Sequence, residues 1–229
     1  QTENVITPET VVEIERQTGE GVSLEKALLT AGVNKKVVRK AFADFYATHY
    51  RVELNPALEV LPLMGSKEGI MHISMAYLEA GDETLIPNPG YPTYQAACSL
   101  AGAKVVPYEL SEKTGWLPDL DALEARDLSK VKIMWVNYPH MPTGAKANLA
   151  FFERLKNFAE KHSILIVNDN PYSFILNDEP ISMLAIPGMM EVGIELNSLS
   201  KSHNMAGWRI GALLGQSEFL NPVLKFKSN

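Results

Sequence analysis

The sequence predicts an α/β domain: a three-layer, doubly wound arrangement with a mostly parallel sheet between helices. Two observations carry this expectation. Short apolar runs alternate with helical periodicities from about residue 58 to 215, the pattern of a sheet whose strands are joined by helical crossovers. Polar residues with chemical potential, at Ser66, Asn137, Asp169 and Ser198 to Lys201, each follow such an apolar run, and open α/β sheets bind ligands beyond the carboxyl ends of their strands.

The elements follow in order. Residues 1 to about 30 carry little signal, although Thr7-Pro8-Glu9-Thr10 can open a helix with proline at its first position. Val37, Val38, Ala41, Phe42, Phe45 and Tyr46 recur at helical spacing, which predicts a helix over 34–48. An N-terminal helical segment is therefore expected over 1–46 and the main domain over 47–229. The run 60–64 reads as a strand that feeds the turn Gly65-Ser66-Lys67. A helix follows, with Ile70, Ile73 and Tyr77 on one face and Gly81 at its end. Free N–H groups and the positive dipole end at such a helix start suit a phosphate.

Residues 84–87 read as a strand, and Asn88-Pro89-Gly90-Tyr91-Pro92-Thr93-Tyr94 as a turn holding two aromatics. A strand at 103–110 precedes a short helix at 117–125 with Leu120 and Leu123 inward. The run 132–136 is apolar without alternation, as in a strand buried on both faces. It leads into Asn137-Tyr138-Pro139-His140-Met141-Pro142-Thr143-Gly144. A helix over 149–162 shows Phe151, Phe152, Leu155 and Phe158 on one face. A strand at 163–167 enters Asn168-Asp169-Asn170-Pro171-Tyr172, and another at 192–196 enters the lysine segment. Trp208 and Ile210 read as core, and 219–229 as the start of a helix.

Composition narrows the function classes. The chain has 229 residues, 46% hydrophobic and 21% charged, with a net charge of -6. That balance fits a soluble globular protein and speaks against a nucleic-acid or acidic-membrane partner. No apolar run approaches the ~18 residues that span a bilayer, and residues 1 to about 30 show no basic segment followed by an apolar run. The single cysteine, Cys98, cannot form an internal disulfide and sits in an apolar-leaning run that suggests burial. A cytoplasmic protein without a metal site is expected.

The segment Asn197-Ser198-Leu199-Ser200-Lys201-Ser202-His203 continues to Gly207-Trp208-Arg209-Ile210-Gly211. A lysine set among hydroxyls suits a Schiff base, since its amine must lose a proton to attack an aldehyde. Hydroxyls with an arginine eight positions on suit a phosphate. Lysine, phosphate site and aldehyde chemistry together point to pyridoxal phosphate (PLP).

This segment resembles the lysine motif of the class I and II aminotransferases, the fold-type-I PLP enzymes. The resemblance implies that Lys201 holds PLP as an imine. It implies that Ser66 and Lys67 hold the cofactor phosphate through their backbone, with Ser198 and Arg209 as further phosphate ligands. Tyr91 matches the aromatic that stacks on the pyridine ring. Asp169 and Tyr172 match the family's D-x-x-Y: the carboxylate pairs with the ring N–H and keeps it protonated, and the phenol donates to the ring oxygen. Asn137 opens a string close to the family's N-x-P-N-N-P-T-G and joins the cofactor-binding set. Met141 stands where the family has the asparagine that binds the ring hydroxyl oxygen, so that role is not carried over, although His140 beside it could serve instead. Gly32 with Arg39-Lys40-Ala41 is similar to another family landmark, but Ala27, Leu28 and Leu29 stand where a tyrosine is usual.

The implied reaction moves an amino group between an amino acid and a 2-oxo acid, with Lys201 relaying the α-proton. The resemblance also implies a homodimer and a C-terminal small domain that lies beyond this sequence. Two alternatives share the same residues: a PLP-dependent C–S lyase, and a catalytically inactive fragment.

Overall fold

The computed structural model describes residues 16–17 and 35–228. The expected helix start at Thr7 and the positions around Gly32 lie outside the described residues.

Seven strands form one sheet among the described residues: β1 (Val60–Leu63), β2 (Glu83–Asn88), β3 (Lys104–Glu109), β4 (Val131–Val136), β5 (Leu165–Asp169), β6 (Gly193–Ser198) and β7 (Gly211–Leu214). Their spatial order is β1-β7-β6-β5-β4-β2-β3. The pairs β2–β3, β2–β4, β4–β5 and β5–β6 are parallel. Only β7 runs backwards, antiparallel to β6 on one side and β1 on the other. The fold is thus α/β with a mostly parallel sheet. The central strands are covered on both faces: β5 and β6 are buried at every position, as parallel strands under helical crossovers must be.

Two apolar cores flank the sheet. On one face lie α1 (Lys35–Tyr50), α4 (Leu120–Glu124) and α5 (Leu149–His162). They contribute Phe42, Tyr46, Leu120, Leu123, Phe151, Phe152, Leu155 and Phe158. On the other lie α2 (Ser66–Tyr77), α3 (Pro92–Leu100) and α7 (Ser217–Ser228). Ile70, Ile73, Tyr94, Ala97, Cys98, Leu220 and Val223 come from these. A four-residue turn of helix, α6 (Leu199–Ser202), carries the lysine segment.

Local chemistry explains most boundaries. Asn148 caps α5 by accepting from the Phe151 N–H, and Asp119 caps α4 by accepting from the Ala122 N–H. The last turn of α5 carries Lys161 and His162, favourable at the negative end of its dipole. Ser163, with φ 54°, turns the chain out of that helix in the left-handed conformation. It is used up as a cap, so β5 begins two residues later than the apolar run suggested and ends on Asp169 itself.

Three further expectations shift. The segment 88–94 is not all turn: Pro92 sits at the first position of α3, which continues to Leu100. Helix α1 runs on to Tyr50, across the position where a segment boundary was expected. Trp208, expected in the core, lies half-buried in a surface 3-10 turn over Ala206–Trp208, whereas Ile210 does pack against the core. The tight turn around Arg209 lifts the indole away from the sheet.

Phe152 is 1% exposed between α5 and the sheet. Phe152→Ala is expected to destabilise the protein by about 3–5 kcal/mol, the range for emptying a buried aromatic site. Urea unfolding reads this as a lower midpoint with an unchanged slope.

Candidate active site

The carboxyl ends of β1, β4, β5 and β6 and the start of the reversed β7 meet at one edge of the sheet. The sequence-selected residues converge there. Ser66, Lys67, Tyr91, Asn137, Asp169, Tyr172, Ser198, Lys201 and Arg209 all line one cavity of about 170 Å³, together with Tyr94, Met141, Pro171 and Ser200.

One end of the cavity is built for an anion. Helix α2 starts after Gly65, and no side chain caps its first N–H groups. Its own acidic residue is turned aside: Glu68 accepts from the Met64 N–H at 2.6 Å and pairs with Lys227 of α7 at 2.5 Å. Ser198 donates to the Ser200 hydroxyl at 3.1 Å, and the Arg209 guanidinium reaches Ser200 Oγ, Ala206 O and Met64 O at 3.2–3.5 Å. These arginine bonds are long and lead to neutral acceptors, so the guanidinium charge is left available to an anion.

Two glycines allow this closeness. A Cβ at Gly65 would come within 2.4 Å of the Arg209 guanidinium, and Gly65 itself has φ 80°. A Cβ at Gly211 would stand 2.8 Å from Asn197 O and 3.0 Å from both Gly65 C and Ser66 N. Those neighbours are backbone, so an added methyl would have to shift the chain itself rather than a flexible side chain.

The other end holds a carboxylate. Asp169 is 4% exposed. Its Oδ2 accepts from the Tyr94 hydroxyl at 2.9 Å, while its Oδ1 is buried without any partner. Burial pushes its pKa up to about 6 against the opposing hydrogen bond of Tyr94 and the nearby Ser66 hydroxyl, which makes no hydrogen bond to Oδ1, and the charge of Glu195 adds to the rise. Tyr94 in turn stacks on Trp135, with ring centroids 5.1 Å apart and planes 15° from parallel. Its role was not legible in the sequence, where it read as a second aromatic in a turn. The signal was its spacing: three residues after Tyr91, it falls one helical turn further along the same chain segment. Burial, and next the Asp169 charge, also raise the pKa of Tyr172, keeping that phenol a proton donor.

Asn137 lines the cavity but its amide is already engaged. Nδ2 donates to the Asp169 carbonyl at 2.5 Å, and Oδ1 accepts from the Met141 N–H at 2.9 Å. It therefore clamps the end of β5 to the 137–144 loop. His140 does not fill the role weighed for it. Both ring nitrogens are spent: Nε2 donates to Pro89 O at 3.1 Å, which leaves Nδ1 to accept from the Thr143 hydroxyl at 2.8 Å. Burial lowers its pKa and keeps it neutral. The histidine ties this loop to the one that carries Tyr91.

This arrangement fits PLP. A buried acceptor without a partner suits a ring N–H, a flat phenol at Tyr91 suits an aromatic ring, and an uncapped helix start with Arg209 suits a phosphate. The sequence matches the profile described as aminotransferase class I and II over residues 2–229. The chain belongs to this family. LL-diaminopimelate aminotransferase of Dehalococcoides mccartyi is 48% identical over 195 residues, 84% of this chain and 50% of that protein. The protein of the same name from Aquifex aeolicus is 40% identical over 225 residues, 97% of this chain and 58% of its own length. Substrate-bound BacF of Bacillus subtilis superposes with a TM-score of 0.83 at 33% identity, over 96% of this chain and 56% of that one. A probable N-succinyldiaminopimelate aminotransferase of Thermus thermophilus does so with 0.80 at 37% identity, over 85% and 52%. The chain thus spans about half the length of the curated relatives it matches.

The buried carboxylate has a thermodynamic signature. The Asp169 pKa is higher folded than unfolded, so the folded state holds its proton more tightly, and stability falls as pH rises from about 4 to about 6. Cofactor-free Asp169→Asn is expected to exceed the parent in stability above pH 6 by up to about 3 kcal/mol, with the difference closing at lower pH. Thermal melts across pH 4–8 check this. Gly211→Ala is expected to leave far-UV circular dichroism unchanged while weakening phosphate-ester binding at least ~10-fold, since its methyl displaces the Gly65–Ser66 backbone. Competition by inorganic phosphate provides the readout.

Proposed function

We propose that the protein to which this chain belongs is a PLP-dependent aminotransferase that moves an amino group between an amino acid and a 2-oxo acid. The observation that carries the proposal is the partnerless, buried Oδ1 of Asp169, in the wall of the cavity that also receives Lys201. A bare carboxylate so placed is costly to bury unless a cation or an N–H completes it, and a protonated pyridine ring offers both.

PLP supplies an aldehyde carbon that takes up an amino group and a ring that accepts the electron pair of a broken Cα–H bond. The residues divide the remaining work. Asp169 Oδ1 would accept the ring N–H and hold its proton in place. Tyr94 holds the other carboxylate oxygen, so Oδ1 cannot rotate away. Tyr91 would cover the ring face, and Tyr172 would donate a hydrogen bond to the ring oxygen. Ser66, Lys67, Ser198 and Arg209 bind the phosphate. Lys201 Nζ would anchor the cofactor through its aldehyde; freed by an incoming amino acid, this amine would be the base that takes the α-proton and the acid that delivers it to the carbon that carried the aldehyde. Asn137 keeps Asp169 and the Met141 loop in register.

The substrate proposal follows the relatives. Those at 40–48% identity bear the name LL-diaminopimelate aminotransferase, so LL-diaminopimelate is proposed as the amino donor, with a 2-oxo acid as acceptor. A homodimer is proposed as the working assembly.

Full-length protein mixed with PLP is expected to develop a visible absorbance band that borohydride traps on Lys201. Lys201→Ala is expected to lose the trapped adduct and at least ~10²–10⁴-fold of the transfer rate, the range for removing a positioned acid–base group. LL-diaminopimelate should bleach the band, and a 2-oxo acid should restore it. Failure of full-length protein to trap PLP would overturn the proposal. Ammonia release without any acceptor would replace transfer by elimination.

A further inference from the structure

Behind Asp169, on the sheet face away from the cavity, stands a second buried carboxylate. Glu195 of β6 is 0% exposed and lies in register with Asn168 of β5. Its Oε1 accepts from the Tyr46 hydroxyl at 2.7 Å and from Asn170 Nδ2 at 3.2 Å. Its Oε2 accepts from Asn168 Nδ2 at 2.9 Å and from the Met183 N–H at 3.1 Å. The other bonds of these partners settle their orientation. Asn168 Oδ1 accepts from the Tyr138 N–H, Asn170 Nδ2 also reaches Ile181 O, and the Tyr46 oxygen accepts from Asn197 Nδ2. The Asn168, Asn170 and Met183 N–H groups can only donate to Glu195, and both of those on Oε2 are of this kind; the Tyr46 and Ser182 hydroxyls also bond the carboxylate. Burial raises the pKa of Glu195, but a protonated carboxyl would press its hydrogen against another donor, so the ionised form fits the site.

Asn168 and Asn170 are the two neighbours of Asp169. Residues adjacent along a strand point to opposite faces. A grip on both neighbours from behind thus fixes the direction in which Asp169 points from the front.

We propose that Glu195 is a positioning residue for Asp169: it anchors the side chains on either side of that residue and places a second negative charge behind it. The proposal rests on Asp169 serving the ring nitrogen of PLP. The titratable groups facing Asp169 are Tyr94 of α3, Tyr172 of the following loop and Glu195 of β6, and the cations of the shared cavity are Lys67, Lys201 and Arg209. Both phenols are neutral, so Glu195 is the anion among these facing groups, and it lies on the far face. Its charge strengthens the hold of Asp169 on a proton or on a protonated ring.

The test uses the full-length protein and two readouts: the PLP dissociation constant, and the pH titration of the Asp169 carboxyl carbon by 13C NMR without cofactor. Glu195→Gln is expected to bind PLP at least ~10-fold more weakly, a loss of roughly 1.4 kcal/mol, and to move the Asp169 titration to lower pH. Asn170→Ala keeps the charge; it is expected to weaken PLP binding several-fold and leave the titration in place. A purely structural Glu195 would lower the melting temperature without moving the titration, and that result overturns the proposal. So does an unchanged dissociation constant in Glu195→Gln when the parent binds PLP. If the parent binds no PLP yet Glu195→Gln still shifts the titration, the cofactor reading falls while the link between the two carboxylates stands. Should Glu195→Gln fail to fold, Asn168→Ala and Asn170→Ala decide: weaker PLP binding in both supports the anchoring role, and unchanged binding overturns it.

Discussion

Hydrogen bonds hold Asp169 from several directions, and none reaches its Oδ1. Tyr94 takes the other oxygen, Asn137 takes the backbone carbonyl, and Glu195 holds the residues before and after. The result is an acceptor that is firmly held, buried and without a protein partner. Such a group is unfavourable in an isolated domain, where a buried polar atom without a partner costs about 1–3 kcal/mol. It becomes favourable when a ligand brings the missing donor. Stability is given up at one atom, and the fold recovers it through the cores on both faces of the sheet.

The surrounding architecture keeps that atom in place. Two parallel strands buried at every position, β5 and β6, carry Asp169 and Ser198 on their last residues. Strands packed on both sides have little freedom to shift, so the side chains at their ends inherit that rigidity. The anion end is made differently. It relies on backbone proximity, with Gly65 and Gly211 letting the α2 turn, the β7 start and Arg209 lie almost in contact. One end of the cavity is defined by side-chain hydrogen bonds and the other by the absence of side chains.

Much of this was legible in the sequence because the site residues fall just after apolar runs. Lys201 among its serines, Asp169 three residues before Tyr172, and Arg209 beyond a glycine read as one constellation, and the fold sets them around one cavity. What escaped lies in contacts between distant segments. Tyr94 and Asp169 are 75 positions apart, and Tyr46 and Glu195 149. A single sequence holds no signal that pairs them. Helix α3 escaped because Asn88-Pro89-Gly90 before it and Pro92 at its start look like turn residues, although proline suits the first position of a helix. His140 carried the opposite lesson: a polar residue in a promising string turned out to be spent on tying two loops together.

The reversed strand has a consequence for how the domain assembles. Arg209 reaches the Met64 carbonyl across 145 residues of chain. The anion pocket therefore exists only once β1 has docked beside β7, a pairing between distant stretches that must meet a large loop-closure cost before it returns anything. An anion bridging Ser66 and Arg209 would act as a clasp on one of the long loops of the domain. Ligand loading therefore depends on completion of the fold, and a chain that has not closed its sheet has no finished phosphate pocket to offer.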